Sequence, residues 1–503
     1  MEFSRKSGLR RAINGVASRG GMAFLLTVIL ALSGCAREEG GLPDDPPAPE
    51  DPTAYEETLP PDPVYDEANV LYVAPAGNDF GNDGSLAAPF RTIARALERA
   101  DAGKSIVLRG GTYREAVRVR LANITIRSQT GEWAVIQCPM NDPDLDVAVL
   151  FDVDASGGRL QRLEVVGGYY YGVMFQTRWD WGDPGDRTGA SRMLLEDCRI
   201  HDTGRDCVKI TPGCDDIVIR RCEIFRSGRR DDGNAEGIDN VNGDRMTVED
   251  CRIHDIATNG LYFKGGAQGC VVQRNLIHSC GNGGVMVGFD TSPEFFDLQA
   301  NPGYYESLDG TVRNNIIVDT GYAGIGIYAS SRPRIYNNTV CNAASRGQNA
   351  LHFGISFQDW EPEAKRPATL EPDIRNNIFV QAAGGDDHVV RIRYADELGG
   401  LSALSGMPVM SHNLYFRIGG GACLFYDQRP GSFAQGMSLA QWQAHTSGDG
   451  DSLQADPLLN GQNKLSASSP AINRGRNNTV VRYDIDRVER SGIYDIGGDE
   501  YDD

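Results

Sequence analysis

Leu195-Glu196-Asp197-Cys198-Arg199-Ile200, Ile219-Arg220-Arg221-Cys222-Glu223-Ile224 and Val248-Glu249-Asp250-Cys251-Arg252-Ile253 are three copies of one phrase. Four more copies follow with asparagine in place of cysteine: Val272–Ile277, Val312–Ile317, Ile335–Val340 and Ile374–Phe379. The anchors Cys198, Cys222, Cys251, Asn275, Asn315, Asn338 and Asn377 lie 24, 29, 24, 40, 23 and 39 residues apart, a unit near 24 with insertions. Short β-branched runs at that period, separated by Gly and Asn, describe a chain that winds three short strands per turn. Each turn then stacks on the last at about 4.8 Å. The predicted fold class is all-β, a solenoid of three-strand coils.

Ile219, Ile224, Val248 and Ile253 fall on the inward side of the alternation, and the anchor between them sits at a bend that also points inward. Stacked asparagine amides can hydrogen-bond to one another and to the turn backbone. The column resembles the asparagine ladder of right-handed parallel β-helices. Cysteine in that column reads as a small buried apolar group, so free thiols are expected there rather than disulfides.

The two ends carry the same resemblance. Leu71–Asp79, Pro89–Ile93, an amphipathic segment to Ala100 and Ile106–Tyr113 resemble the N-terminal module of secreted β-helix proteins, whose helix covers the open first coil. Asp456-Pro457, Ser469–Asn473 and Asp495-Ile496-Gly497 resemble the closing segment. The expected organisation is a cap module over 70–115, a parallel β-helix over 116–425 and an irregular closing segment over 426–503.

The chain has 503 residues, 60 of them glycine, and a formal charge of −20. That acidity repels a polyanion, no basic run counters it, and a nucleic-acid partner is not expected. A charged polysaccharide would need local basic residues or a bridging cation. At the N-terminus Arg5, Lys6, Arg10, Arg11 and Arg19 precede an apolar run from Met22 to Leu32, closed by Leu32-Ser33-Gly34-Cys35. The run is shorter than the ~20 residues that a membrane span needs. The closing tetrapeptide resembles the lipobox of bacterial lipoproteins, which implies that residues 1–34 are a signal peptide and that Cys35 is lipidated. Ala36 in the next position resembles the outer-membrane sorting signal, and residues 35–69, rich in Pro, Glu and Asp, read as a tether. Removing residues 1–34 strips five basic residues and Glu2, which moves the charge from −20 to −24. The expectation is a monomer in the bacterial cell envelope, touching the membrane through its lipid alone.

After each Ile-rich strand comes a turn and a further strand. With period-two alternation Lys209, Asp239, Tyr262 and Met286 form one outward column, and Lys264 lies in the next. Insertions at 177–191, 289–310 and 356–372 leave from the same corner and would wall this face. They carry Trp179, Trp181, Phe295, Phe296, Tyr304, Tyr305 and Trp360, whose rings suit sugar faces. Five carboxylates, Asp206, Asp231, Asp232, Glu236 and Asp239, fall within one coil rise, and hard oxygen ligands at that density suit Ca²⁺. His201, His254 and His278 also share a column, but Phe225 interrupts it and packing is the expected role.

Glu236-Gly237-Ile238-Asp239, followed a coil later by Asn259-Gly260 and Lys264-Gly265-Gly266, is similar to the calcium-site and catalytic-lysine coils of the ninth polysaccharide lyase family of pectate lyases. In that family an Asp-Asp-Gly-x-Asp sequence binds calcium. Here Ala235 and Glu236 replace the two leading aspartates, so either Asp231 or Asp232 compensates or the site is empty. The resemblance implies Ca²⁺-dependent β-elimination of an acidic polysaccharide. Lys264 would be the base, and Lys209, Tyr262, Trp179, Trp181, Tyr304 and Tyr305 would contact substrate. A non-catalytic glycan-binding or scaffold lipoprotein is the alternative, and a hydrolase or C5-epimerase on the same face is a third reading.

Overall fold

The computed structural model describes residues 69–178, 186–357, 366–432 and 436–501. Residues 1–68, with Cys35, the expected signal peptide and most of the expected tether, lie outside these residues, as do Trp179, Trp181 and Trp360. Three long sheets run the length of the repeat. The first has 12 strands, from Val70–Val73 to Val409–Ser411. The second has 12, from Gly111–Tyr113 to Leu453–Gln454, and the third 11, from Val117–Val119 to Leu424–Asp427. One coil reads Leu194–Glu196, Arg199–His201, Val208–Ile210, and the next opens at Val218–Arg220. Strands pair in parallel with their counterparts a coil away, Leu195 with Ile219 and Ile219 with Val248, Ile200 with Ile224 and Ile224 with Ile253. All of these side chains are fully buried, so the apolar halves of the alternation form one continuous core.

The bend between the first and second sheets carries the ladder. Asp197, Arg221, Asp250, Arg274, Asn314, Asn337 and Asn376, each one residue before an anchor, adopt φ between 50° and 58°. A left-handed residue costs roughly 1–2 kcal/mol, and the anchors offset that cost. Asn338 Nδ2 donates to Val312 O (2.9 Å), Tyr336 O (3.0 Å) and Asn377 Oδ1 (2.9 Å), while its Oδ1 accepts from Asn315 N (3.1 Å) and Nδ2 (2.9 Å). The cysteines do more than fill space. Cys251 Sγ donates to Ile219 O (3.5 Å) and Glu249 O (3.3 Å), the same carbonyls, one coil back and two residues back, that Asn338 uses. The described cysteines are all free thiols.

Asn338→Ala leaves several of these buried groups unmet, each worth about 1–3 kcal/mol. The expected loss is about 3–5 kcal/mol in urea unfolding, and Asn338→Cys should recover a measurable part of it. A loss below about 1 kcal/mol for the alanine variant would mean that the ladder does not set the stability of these coils.

Ile93–Arg99 forms a helix with Thr92 as its N-cap, and the Glu115 carboxylate accepts from Ile93 N (2.9 Å) and Ala94 N (3.0 Å). Ile93 and Ala96 are buried at the end of the core. At the other end the closing segment holds a short helix. Leu439–Thr446 is a helix with a Ser438/Gln441 capping box, and its buried Trp442 stacks on Phe425 at 5.3 Å. Residues beyond Leu453–Gln454 then return along the outside of the ladder bend, where Arg490 donates to Asn314 Oδ1 (3.0 Å), Arg487 pairs with Asp250 (3.1 Å) and Gly497 N donates to Asn376 O (2.7 Å).

Candidate active site

The third sheet sets the geometry. Its pairing aligns Lys209 with Asp239, Asp239 with Tyr262 and Tyr262 with Met286, and places Lys264 opposite Val241 in the neighbouring outward column. Asp206 and Glu236 lie in the turns that lead into two of these strands. The left-handed pair Gly265 (φ 73°) and Gly266 (φ 96°) ends the lysine's strand.

Asp206, Glu236 and Asp239 bring one carboxylate oxygen each within 4.8 Å of the others, and all three residues are buried. Asp206 Oδ1 accepts from Glu236 N (3.0 Å). Glu236 Oε1 accepts from Thr258 Oγ1 (2.8 Å) and Asn259 Nδ2 (3.2 Å), and Asp239 Oδ2 accepts from Lys209 Nζ. The remaining oxygens, Asp206 Oδ2, Glu236 Oε2 and Asp239 Oδ1, are buried without a hydrogen-bond partner. Burial, then the Asp239 and Glu236 charges, pushes the Asp206 carboxyl well up. Burial and Asp239 push Glu236 up as well. Burial also acts on Asp239, but Lys209 and Lys264 outweigh it and hold that carboxyl down.

Asp231 and Asp232 do not join the cluster. Both are exposed, and Asp231 faces Arg205 at 3.8 Å. Gly233 and Asn234 carry the chain outward before Ala235 turns in, which strands the two aspartates on the solvent side.

Lys264 is half-buried and points outward. Its Nζ donates to Asp290 O (3.0 Å) and lies 4.2 Å from the Tyr262 ring centre and 5.6 Å from that of Phe289. Lys209 is ion-paired with Asp239 and lies 5.9 Å from the Tyr171 ring. Of the residues expected to contact substrate, Tyr262 is buried, and Tyr304 and Tyr305 are half-buried. Tyr262 is buried under Lys264 and stacks on Phe289 at 5.8 Å, so it is floor. Tyr304 packs between Phe296 (4.6 Å) and Arg366 (3.9 Å). Tyr305 is half-buried, its backbone N–H and C=O bound to the Asn301 side chain.

The three insertions do leave from this sheet, after Tyr171–Phe175, Val285–Val287 and Leu351–Gly354. They are tied together by groups that the sequence reading missed. Buried Glu306 accepts from Gly265 N (3.0 Å), Thr291 N (3.1 Å) and Oγ1 (2.7 Å), Ser356 Oγ (3.2 Å) and Arg366 Nε (2.8 Å). Arg187 of the first insertion donates to Phe295 O of the second (2.9 Å). The wall is therefore anchored beside Lys264. The outward column also continues past Met286 through Gly326 and His352 to Arg391 and Tyr426. Burial, then Arg391 and Arg393, drops His352 to about 3, so it stays neutral. The Val-Arg-Ile alternation at 390–392 carried that signal.

On the second sheet His201, Phe225, His254 and His278 stack at 4.4, 4.9 and 4.9 Å. Acids do join this column: Glu164 and Asp202 flank His201, and Glu223 and Asp255 flank His254. The stack is still packed against the outer strand face. A recess of about 720 Å³ lies beside it, lined by Arg252, His278, Lys464 and Arg487 among others, and holds none of the cluster residues.

The architecture and this face define a right-handed parallel β-helix. The family described as right handed beta helix region matches residues 176–300, and DUF1565, a family of unknown function, matches residues 75–123. The chain is similar to pectate lyase PEL9 of Emericella nidulans, 31% identical over 117 residues, and to the uncharacterized protein YwoF of Bacillus subtilis, 35% identical over 106 residues. Those segments are 20% and 19% of this chain but only 28% and 22% of the relatives' own lengths. Among solved structures, pectate lyase Pel9A superposes with a TM-score of 0.54 at 16% identity, covering 86% of this chain and 96% of that one. XylC in complex with xylose gives 0.51 at 12% identity, covering 85% and 98%. The chain is thus a β-helix weakly related to pectate lyases.

Proposed function

We propose that this chain is a lipid-anchored envelope protein, tethered through Cys35, that cleaves an acidic polysaccharide by β-elimination on the third-sheet face. The observation that carries the reading is the convergence of three buried, unpartnered carboxylate oxygens beside an outward lysine one coil on. The similarity to a pectate lyase in sequence supports it. An isolated buried carboxylate is costly, and a set of hard oxygens left unmet fits Ca²⁺. Asp206, Glu236 and Asp239 would hold the ion. When bound, calcium supplies charge that pairs with the substrate carboxylate and favours the unprotonated form of Lys264.

The rest falls to the chain's own groups. The Asp290 carbonyl orients the Lys264 amine. Lys264 Nζ takes the proton α to the substrate carboxylate, the C–H electron pair becomes the new C=C bond, and the glycosidic oxygen departs and is protonated from solvent. Glu306 and Arg366 fix the wall against which the polymer lies. Incubation of the purified protein with pectate, alginate and related uronides is expected to give a Ca²⁺-dependent rise in ultraviolet absorbance from the unsaturated product. No such signal across the panel removes the proposal. One observation favours the non-catalytic alternative: the Lys264 ammonium is already engaged by Asp290 and two ring faces. Glycan binding without turnover, unchanged in Lys264→Ala, would select it.

A further inference from the structure

We propose that Lys209 is a built-in counter-ion of the carboxylate cluster and restricts it to divalent ions. This rests on the cation-site reading above. Lys209 and Asp239 are register partners on adjacent coils, and Nζ is hydrogen-bonded to Asp239 Oδ2, with the two side chains 16% and 2% exposed. Two other cations act on the cluster from further off. Arg205 Nε is spent on Asn234 O (3.0 Å) and Lys264 Nζ on Asp290 O (3.0 Å). Lys209 is therefore the cation whose hydrogen bond to the cluster is seen.

The consequence is a charge balance. With all three carboxylates ionised as ligands of a bound ion, one ammonium beside them leaves two negative charges for that ion to meet. Each carboxylate also keeps one unmet oxygen, because Lys209 uses only one of Asp239's two. A divalent ion neutralises that remainder. A trivalent ion overcharges it, and a net buried charge is penalised in low dielectric. Without Lys209 the cluster carries three charges and frees the second oxygen of Asp239, which strengthens binding of every cation and most of all that of a trivalent one.

Calorimetric titration of the purified full chain with CaCl₂ and with TbCl₃ tests this on wild type, Lys209→Met and Lys209→Gln. The glutamine keeps a hydrogen bond to Asp239 and removes only the charge. Both variants are expected to bind Ca²⁺ at least tenfold more tightly, and the Tb³⁺-over-Ca²⁺ preference should rise at least tenfold further. Their thermal midpoints should drop in chelator and recover with Ca²⁺, which shows that they fold. An unchanged preference, or weaker Ca²⁺ binding in folded Lys209→Gln, overturns the counter-ion role and leaves the cation site standing. Absence of Ca²⁺ binding in wild type and both variants overturns the inference together with the cation-site reading.

Discussion

Lys264→Met is expected to lower the elimination rate on pectate or alginate by about 10³-fold while leaving Ca²⁺ affinity within a few-fold of wild type. A positioned general base contributes about 10²–10⁴ in rate. The amine donates to Asp290 O rather than to a cluster oxygen, so its removal leaves Asp206, Glu236 and Asp239 in place. Methionine keeps the stem that covers Tyr262, and the loss should therefore fall on kcat rather than on KM. Lys264→Arg separates two roles. Arginine keeps the positive charge and stacks on the same ring, but it does not give up its proton at any working pH. If Lys264 is a base, arginine is as dead as methionine; if it only stabilises charge, arginine retains most of the rate. Retention in the arginine variant would reassign the proton transfer to another group.

The fold is legible because the strongest signals are local and periodic. The anchors at 198, 222, 251, 275, 315, 338 and 377 each combine a bend, an inward polar group and flanking β-branched residues, and a solenoid repeats that solution coil after coil. Register on the third sheet follows from alternation alone, which is why the Lys209, Asp239, Tyr262, Met286 column appears in the structure as read. What stays hidden is non-periodic. Proximity along the chain groups Asp231 and Asp232 with Glu236, but a five-residue turn has room to swing outward and back, and spacing carries no sign for that. Glu306 and Arg366 lie 60 residues apart on different insertions, where no repeat constrains the pairing. Composition makes the cysteine thiols look apolar, although a buried S–H two residues after a carbonyl has an acceptor waiting. An aromatic ring in the sequence reports on packing and on ligand stacking alike: Tyr262 is buried in its strand, and half-buried Tyr304 lies against Phe296.

Asp206→Asn is expected to stabilise the protein in chelator at neutral pH and to destabilise it relative to wild type in excess Ca²⁺. The asparagine side chain keeps an oxygen to accept from Glu236 N, as Asp206 Oδ1 does now at 3.0 Å, and removes the charge behind the unmet Oδ2. A buried charged group with an unmet lone pair costs about 1–3 kcal/mol, so the variant should gain roughly that amount in urea unfolding with chelator at pH 7. The pH dependence has a definite sign. Asp206 and Glu236 are raised above their ordinary range, so the ion-free native state binds protons more tightly than the unfolded chain does. Their contribution is favourable in acid and is lost as the pH climbs from about 4 through the raised folded values. Asp239, held down by its lysines, works the other way and loses its contribution in acid. Asp206 is the group the substitution removes, so the gap between Asp206→Asn and wild type in chelator should widen from pH 4 to pH 7. Calcium reverses the order. At a thousand times its dissociation constant a ligand adds about 4 kcal/mol to the native state, which wild type should show and Asp206→Asn should largely lack. If Asp206→Asn is instead less stable in chelator at pH 7, the aspartate serves the turn before Glu236 as an ordinary structural acceptor, and the case for a cation among these three oxygens loses its main physical support.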